Sequence, residues 1–164
     1  ELFLSDKKTL LATVISNTLA RGDGGFSTGA ANQKSGNSPA KIPDREPDMV
    51  CDLDTLPQSA LFYRLCGDLN PLHADPKVAE TAGFEAPILH GRCTMGVAMR
   101  ALMKSYCDYD ASKLKSMQVR FSAPFMPGET LRTEMWKEDN NIFFNATALE
   151  RKIRVLSNGL AILN

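Results

Sequence analysis

Gly91-Arg92-Cys93-Thr94-Met95-Gly96-Val97-Ala98-Met99-Arg100-Ala101-Leu102-Met103-Lys104-Ser105-Tyr106 is the stretch on which the architecture turns. Met95, Ala98, Met99, Leu102 and Tyr106 recur at spacings of three and four. That spacing puts them on one face of a helix running from Gly91 to about Tyr106. The methionines read as core filler rather than as a binding stripe. Everything that follows reads as β. Residues 113–123 alternate, Pro127-Gly128 marks a turn, and 131–137 is a strand. Glu138-Asp139-Asn140-Asn141 is a hairpin loop, and 142–150 and 153–163 are two further strands. One long helix followed by several antiparallel strands is an α+β plan. Its physical solution is a curled antiparallel sheet with the helix laid across one face. Other α+β folds share this order of elements, so the pattern alone does not choose among them.

Upstream of the helix the signals are punctuation. Thr55-Leu56-Pro57-Gln58 has the Thr-x-x-Gln spacing of a capping box, which predicts a helix to about Cys66, ended by Gly67. Asp75-Pro76 resembles an N-cap followed by a first-turn proline and opens a short helix that Gly83 closes. Residues 9–19 are rich in β-branched and apolar side chains and read as a strand. Gly22, Gly24, Gly25, Gly29 and Gly36, then Pro39, Pro43 and Pro47, mark 22–49 as a linker or long loop, with a functional lid as the competing reading.

Bulk properties narrow the partners. A chain of 164 residues allows one domain with its own core, or one domain plus part of another. The formal net charge is zero and no block of lysine or arginine stands out. Nucleic acid is therefore not an expected partner, because phosphate binding needs a concentrated positive surface. No apolar run approaches the roughly 20 residues that span a bilayer, so no membrane span is expected. The first residues lack the pattern of a signal peptide. Cys51, Cys66, Cys93 and Cys107 form no Cys-x-x-Cys pair, and with two histidines no metal cluster is expected. A reducing intracellular compartment fits that usage. Both ends of the chain are expected to be boundaries other than native termini, since it starts at Glu1 and stops inside a strand-like run at Asn164.

Two segments carry chemistry. In Gly67-Asp68-Leu69-Asn70-Pro71-Leu72-His73 a glycine leaves a helix, and an Asp, an Asn and a His follow around a proline that stiffens the backbone. A carboxylate, an amide and an imidazole gathered in one short loop can hold a water molecule and exchange protons with it near neutral pH. Asp, Asn and Pro are also ordinary turn residues, so the loop can equally be only a turn. The second segment is His90-Gly91, at the start of the long helix. The first amides of a helix lack intrahelical partners and carry partial positive charge, and a glycine lets a ligand approach them. A carbonyl oxygen placed there would be polarised, as an enolate-forming reaction requires. The alternative is that Gly91 only eases packing and His90 is a core or capping histidine.

Tyr63-Arg64-Leu65-Cys66-Gly67-Asp68-Leu69-Asn70-Pro71-Leu72-His73-Ala74-Asp75-Pro76 closely resembles the signature of hydratase 2, a branch of the MaoC-like dehydratases. Ala82-Gly83-Phe84, Pro87-Ile88-Leu89-His90-Gly91, Arg120-Phe121, Pro127-Gly128-Glu129-Thr130-Leu131 and Thr133-Glu134-Met135-Trp136-Lys137-Glu138 continue the likeness. It covers residues 42–160 and touches Gly24-Gly25-Phe26. Within the family it is strongest to the hydratase 2 domains of peroxisomal multifunctional enzymes. The resemblance implies a hot-dog fold, in which a curled sheet wraps a long helix, as part of a double hot dog. It implies (R)-specific hydration of trans-2-enoyl-CoA to (R)-3-hydroxyacyl-CoA in fatty-acid β-oxidation. Carried over residue by residue, Asp68 and His73 are the acid/base pair and Asn70 positions the water. Gly91 is the oxyanion donor, Phe121 lies against the CoA portion, and Leu69, Pro71, Leu72 and Arg92 belong to the substrate-binding surface. No cofactor is implied, since CoA is part of the substrate.

The family also frames the organisation. Residues 50–164 would form the catalytic repeat, 26–49 a linker, and 1–25 the last strand or strands of a preceding repeat that is largely absent. The expected partner is a second hot-dog repeat, or a second copy in a homodimer. A peroxisomal address follows from the family, although Ile162-Leu163-Asn164 is not a Ser-Lys-Leu-type signal. Cys66 stands where relatives often carry serine and is expected on a packed helix end. Arg92 stands where they usually carry an apolar residue, and could face CoA phosphates or water. Two other readings remain. A hot-dog thioesterase would place a carboxylate on the long helix, and no acidic residue occurs between Gly91 and Cys107. A truncated fragment that only binds acyl-CoA or dimerises is the non-enzymatic reading.

Overall fold

The computed structural model describes residues 1–16 and 39–164, which fall in two compact units, Glu1–Asn37 and Ser38–Asn164. In the first unit β1 (Leu2–Phe3) pairs antiparallel with β2 (Leu10–Ala12). The Asp6 carboxylate caps the turn between them, accepting bonds from the amides of Lys8 and Thr9 and the Thr9 hydroxyl at 2.7–2.9 Å. Those bonds hold Asp6 below the usual carboxylate range, led by the Thr9 amide. The strand expected over 9–19 is therefore three residues long within its described part, and its last residues lie outside the described ones.

The second unit is a five-stranded antiparallel sheet. Its strands are β3 (Met49–Asp54), β4 (Leu114–Phe121), β5 (Thr130–Glu138), β6 (Asn141–Ala148) and β7 (Ile153–Leu163), in spatial order β3-β5-β6-β7-β4. Its helices are α1 (Ser59–Tyr63), α2 (Pro76–Thr81) and α3 (Gly91–Tyr106). The chain runs from the β3 edge through all three helices before it returns as β4 on the opposite edge. Helix α3 packs on β3, β5 and β4, as the α+β plan requires.

The helix expected from Gly91 to Tyr106 forms over that span, but its buried face is displaced from the one expected. Thr94, Ala98, Ala101, Leu102 and Met103 are buried, whereas Met99 is exposed. The small side chains of Ala98 and Ala101 let the helix axis approach the sheet, and the bulk comes from the strands. Leu131, Met135, Ile142, Phe144 and Leu156 are at most 1% exposed and fill that face. Phe144 sits over Gly159, its partner across the β6–β7 pair, where a Cβ would lie 2.5 Å from ring carbons.

Strand β3 lies partly inside the stretch expected to be a linker. Cys51 and Leu53 face the core, while Asp52 and Asp54 alternate outward. Asp52 is paired by Arg132 at 2.7 Å, and Asp54 accepts from the Thr130 hydroxyl at 3.0 Å. Residues 39–48 have no regular secondary structure but are fastened to the sheet. The indole of Trp136 donates to the Arg45 carbonyl at 2.7 Å, Asn158 to that of Ala40 at 2.9 Å, and the Lys137 amide to Asp48 at 2.7 Å. These bonds satisfy a buried indole N–H, so this part of the expected linker belongs to the folded unit. Its remainder, with Gly24-Gly25-Phe26, lies outside the described residues.

The capping box at Thr55 does not form. The Thr55 hydroxyl donates to the Glu129 carbonyl at 2.8 Å and accepts from the Gly128 amide at 3.1 Å, so a tertiary contact takes the group the helix would have used. Helix α1 starts instead at Ser59, whose hydroxyl accepts from the Leu56 amide, and passes into a 3-10 turn over Arg64–Cys66. The other punctuation holds. Gly67 ends that turn in the left-handed region at φ 101°. Asp75 caps α2 through the Lys77 amide, with Pro76 in the first turn and Gly83 at φ 85° beyond its end.

Candidate active site

The loop from Gly67 to His73 is held by its own residues. Arg64 donates from one guanidinium nitrogen to the carbonyls of Leu69 and Asn70, both at 3.1 Å. Asn70 caps a 3-10 turn over Pro71–His73, its side-chain oxygen accepting the Leu72 amide at 3.1 Å. The Asp68 carboxylate accepts the Asn70 amide at 3.3 Å and is otherwise exposed. Asn70 thus has a structural task of its own, and its NH2 end is what it can offer a ligand or water.

His73 is buried at the end of this turn. Its Nδ1 lies 2.8 Å from the Ile88 carbonyl, an acceptor, so Nδ1 carries the hydrogen and the neutral ring keeps its free lone pair at Nε2. His90 is stacked on it, with ring centroids 3.7 Å apart and planes at 26°. Tyr63 packs on His90 at 4.6 Å and 47°. The Nε2 of His90 donates to the Asp68 carbonyl at 3.3 Å. Burial, and next the nearby His73, push the pKa of His90 down, so this ring is neutral at pH 7. Burial also pushes the Tyr63 hydroxyl up, which keeps it a neutral donor.

Asp68, His73 and His90 each offer an atom within 4.8 Å of the other two. Nδ1 of His73 and Nε2 of His90 are committed to the Ile88 and Asp68 carbonyls, which leaves each ring one nitrogen for any further contact. His90 immediately precedes Gly91, so the stack sets the Gly67–His73 loop beside the start of α3. Gly91 is exposed, and a Cβ there would lie 3.2 Å from Cε1 and 3.3 Å from Cδ1 of Phe121. The Phe121 ring, at the end of β4, therefore stands over the helix start. Arg92 is exposed on the first turn of α3, and Leu69 and Pro71 are exposed on the loop, while Leu72 is half-buried. A cavity of about 310 Å³ includes His73 in its wall together with Ala60, Leu61, Pro87 and Met126.

Asp68 and His73 are brought together as expected, and Gly91 and Phe121 are brought together beside them. One reading is extended and one expectation changes. His90 is buried at the N-cap position of α3, in line with the core or capping reading, and it also bridges the loop and the helix start through a stack that the sequence did not show. Cys66 is exposed on the 3-10 turn instead of packed at a helix end. The turn projects Leu65 and Cys66 outward, with Leu65 84% exposed.

A carboxylate and an imidazole share one short loop, joined through His90 to the start of a long helix laid on an antiparallel sheet. The chain belongs to the MaoC like domain family, whose model matches residues 37–158, and its fold is the hot-dog fold of that family. It is similar to Enoyl-CoA hydratase 2, peroxisomal, of Arabidopsis thaliana, 45% identical over 84% of this chain and 46% of that protein. It is also similar to peroxisomal multifunctional enzyme type 2 of Mus musculus, 48% identical over 84% of this chain and 18% of that protein. The solved structure of full-length peroxisomal multifunctional enzyme type 2 from Drosophila melanogaster superposes with a TM-score of 0.78 at 40% identity, over 81% of this chain and 25% of that one. The chain thus spans about half the length of the first of these relatives, and less of the others.

Proposed function

We propose that this chain is the catalytic repeat of an (R)-specific enoyl-CoA hydratase, adding water across the double bond of a trans-2-enoyl-CoA thioester. The observation that carries this reading is the pairing of Asp68 and His73 on one rigid loop beside the exposed amide end of α3 at Gly91. The hydratase names of the relatives support the substrate class.

In this reading a water molecule is held between the Asp68 carboxylate and Nε2 of His73, with the Asn70 amide as a third contact. As the water oxygen bonds to the β-carbon, the pair removes one proton from it. The π electrons move to the α-carbon and the thioester oxygen, and the Gly91 amide meets the charge that builds there. The pair then returns one proton to the α-carbon. Hydroxyl and hydrogen come from one water on one face, so the addition is syn. CoA enters as part of the substrate, and no other cofactor takes part. Phe121, Arg92, Leu69, Pro71 and Leu72 form the rim on which the CoA portion and the acyl start would lie. A second hot-dog repeat, preceding this one or on a partner copy, completes the enzyme. The working place is the peroxisome, as in the relatives named for it.

The test is loss of the conjugated absorbance of trans-2-enoyl-CoA, followed by chiral analysis of the product. The expected product is (R)-3-hydroxyacyl-CoA, with Asp68→Ala and His73→Ala each abolishing its formation. Activity that survives both substitutions, an (S) product, or release of free CoA thiol would overturn the assignment.

A further inference from the structure

We propose that His90 is a positioning residue for the hydration step, setting the separation of Asp68 and His73 by stacking on one and hydrogen bonding to the backbone of the other. The inference rests on the hydration reading above. Asp68 and His73 belong to a single loop, whereas His90 arrives from the segment that starts α3. It is 1% exposed and packed against the rings of both Tyr63 and His73. Its Nε2 must carry the hydrogen, because the Asp68 carbonyl can only accept. In the neutral ring that leaves Nδ1 as an acceptor, and this atom is buried with no hydrogen-bond partner among the described residues.

An unsatisfied buried nitrogen destabilises a fold, and phenylalanine would fill the same space without one. What phenylalanine could not do is donate to Asp68. A purely packing role therefore leaves the identity of the residue unexplained, whereas a positioning role accounts for it. Neutrality matters as well. Two charged rings stacked at 3.7 Å would repel, so His73 can take the water's proton only while His90 stays uncharged. The lowered pKa of His90 keeps it so.

The experiment compares the full chain with its His90→Phe, His90→Gln and His90→Ala variants. With trans-2-enoyl-CoA, His90→Phe should lower kcat about 100-fold with KM changed less than about twofold, the scale of a catalytic group misplaced by about 1 Å. His90→Gln, which can still donate to the Asp68 carbonyl, should recover about tenfold of that loss. Independently of turnover, crystal structures of the wild-type chain and of His90→Ala should differ by about 1 Å in the separation of the Asp68 carboxylate from Nε2 of His73. Unchanged kcat in His90→Phe, or equal losses in the Phe and Gln variants that track their melting temperatures, would overturn the proposal. So would an unchanged separation of Asp68 and His73 in His90→Ala. An inactive wild-type chain would count against the hydration reading, and the crystallographic separation would then decide the positioning role by itself.

Discussion

Gly91 and Gly96 lie in the same helix, and replacing each by alanine should separate activity from stability. A Cβ at Gly91 would stand 3.2 and 3.3 Å from two carbons of the Phe121 ring, while one at Gly96 would have no heavy atom within 4 Å. Gly96 is an exposed interior helix position, so Gly96→Ala should stabilise the fold by about 1 kcal/mol and leave turnover unchanged. At Gly91 two terms oppose. Loss of unfolded-state freedom favours alanine by about 0.4–1 kcal/mol. Against it, Phe121 must give way by a few tenths of an ångström, which it can do because its ring is 52% exposed. The net change in stability should be within about 1 kcal/mol, or about 4 °C in Tm for a domain of this size. Activity should respond differently. The new methyl occupies the approach to the Gly91 amide, and displacing the thioester oxygen by about 1 Å weakens an oxyanion contact enough to lower kcat about 100-fold. Thermal unfolding and the enoyl-CoA absorbance assay on both variants read the two quantities. A Gly91→Ala protein that keeps kcat/KM within about threefold of wild type would refute the role assigned to that helix start.

Three predictions concern the frame that holds the site. Gly159→Ala forces a methyl into the fully buried Phe144 ring at 2.5 Å and should destabilise the fold by about 3 kcal/mol, with Phe144→Leu restoring most of it in a double-mutant urea series. Additive effects of the two changes would contradict this. Arg151 donates to both oxygens of the buried Glu129 carboxylate and to the Pro124 carbonyl, so Arg151→Met should lower the urea midpoint by the equivalent of about 3 kcal/mol. An unchanged midpoint would show the pair to be idle. Asp48 is held at a pKa of about 2, first by Arg45 and then by the Lys137 amide. Because its folded pKa is depressed, its contribution is complete above the ordinary carboxylate pKa and fades as pH falls toward 2. Acid unfolding curves of wild type and Asp48→Asn should therefore differ near neutral pH and converge below pH 4; a constant offset would be the wrong result.

Elements whose signals are local were legible. The helix Gly91–Tyr106, the turn at Asp139-Asn140, the last strand Ile153–Leu163 and the caps at Gly67 and Asp75 depend on residues a few positions apart. Misreadings fell where a distant group competed. Thr55 was taken from its expected cap by Gly128 and Glu129, and β3, which was not among the expected strands, has outward aspartates whose partners, Arg132 and Thr130, lie on a strand far along the chain. The inward face of α3 was displaced because the strands, with their own large side chains, decide which small helix residues must face them.

The site divides the same way. Asp68, Asn70 and His73 are close in the chain, so the sequence already showed them gathered around a stiffening proline in one short loop, a pattern that fits an acid/base site or a plain turn, and it showed Gly91 at a helix start. What tertiary structure decided was the relation between the two. His90 closes on His73 and Asp68 only because Arg64 pins the loop, the Ile88 carbonyl takes the Nδ1 hydrogen of His73, and Tyr63 backs the stack. Spacing along a chain constrains neighbours within a turn. Two loops are aligned to within hydrogen-bond distance only by the packing of everything between them.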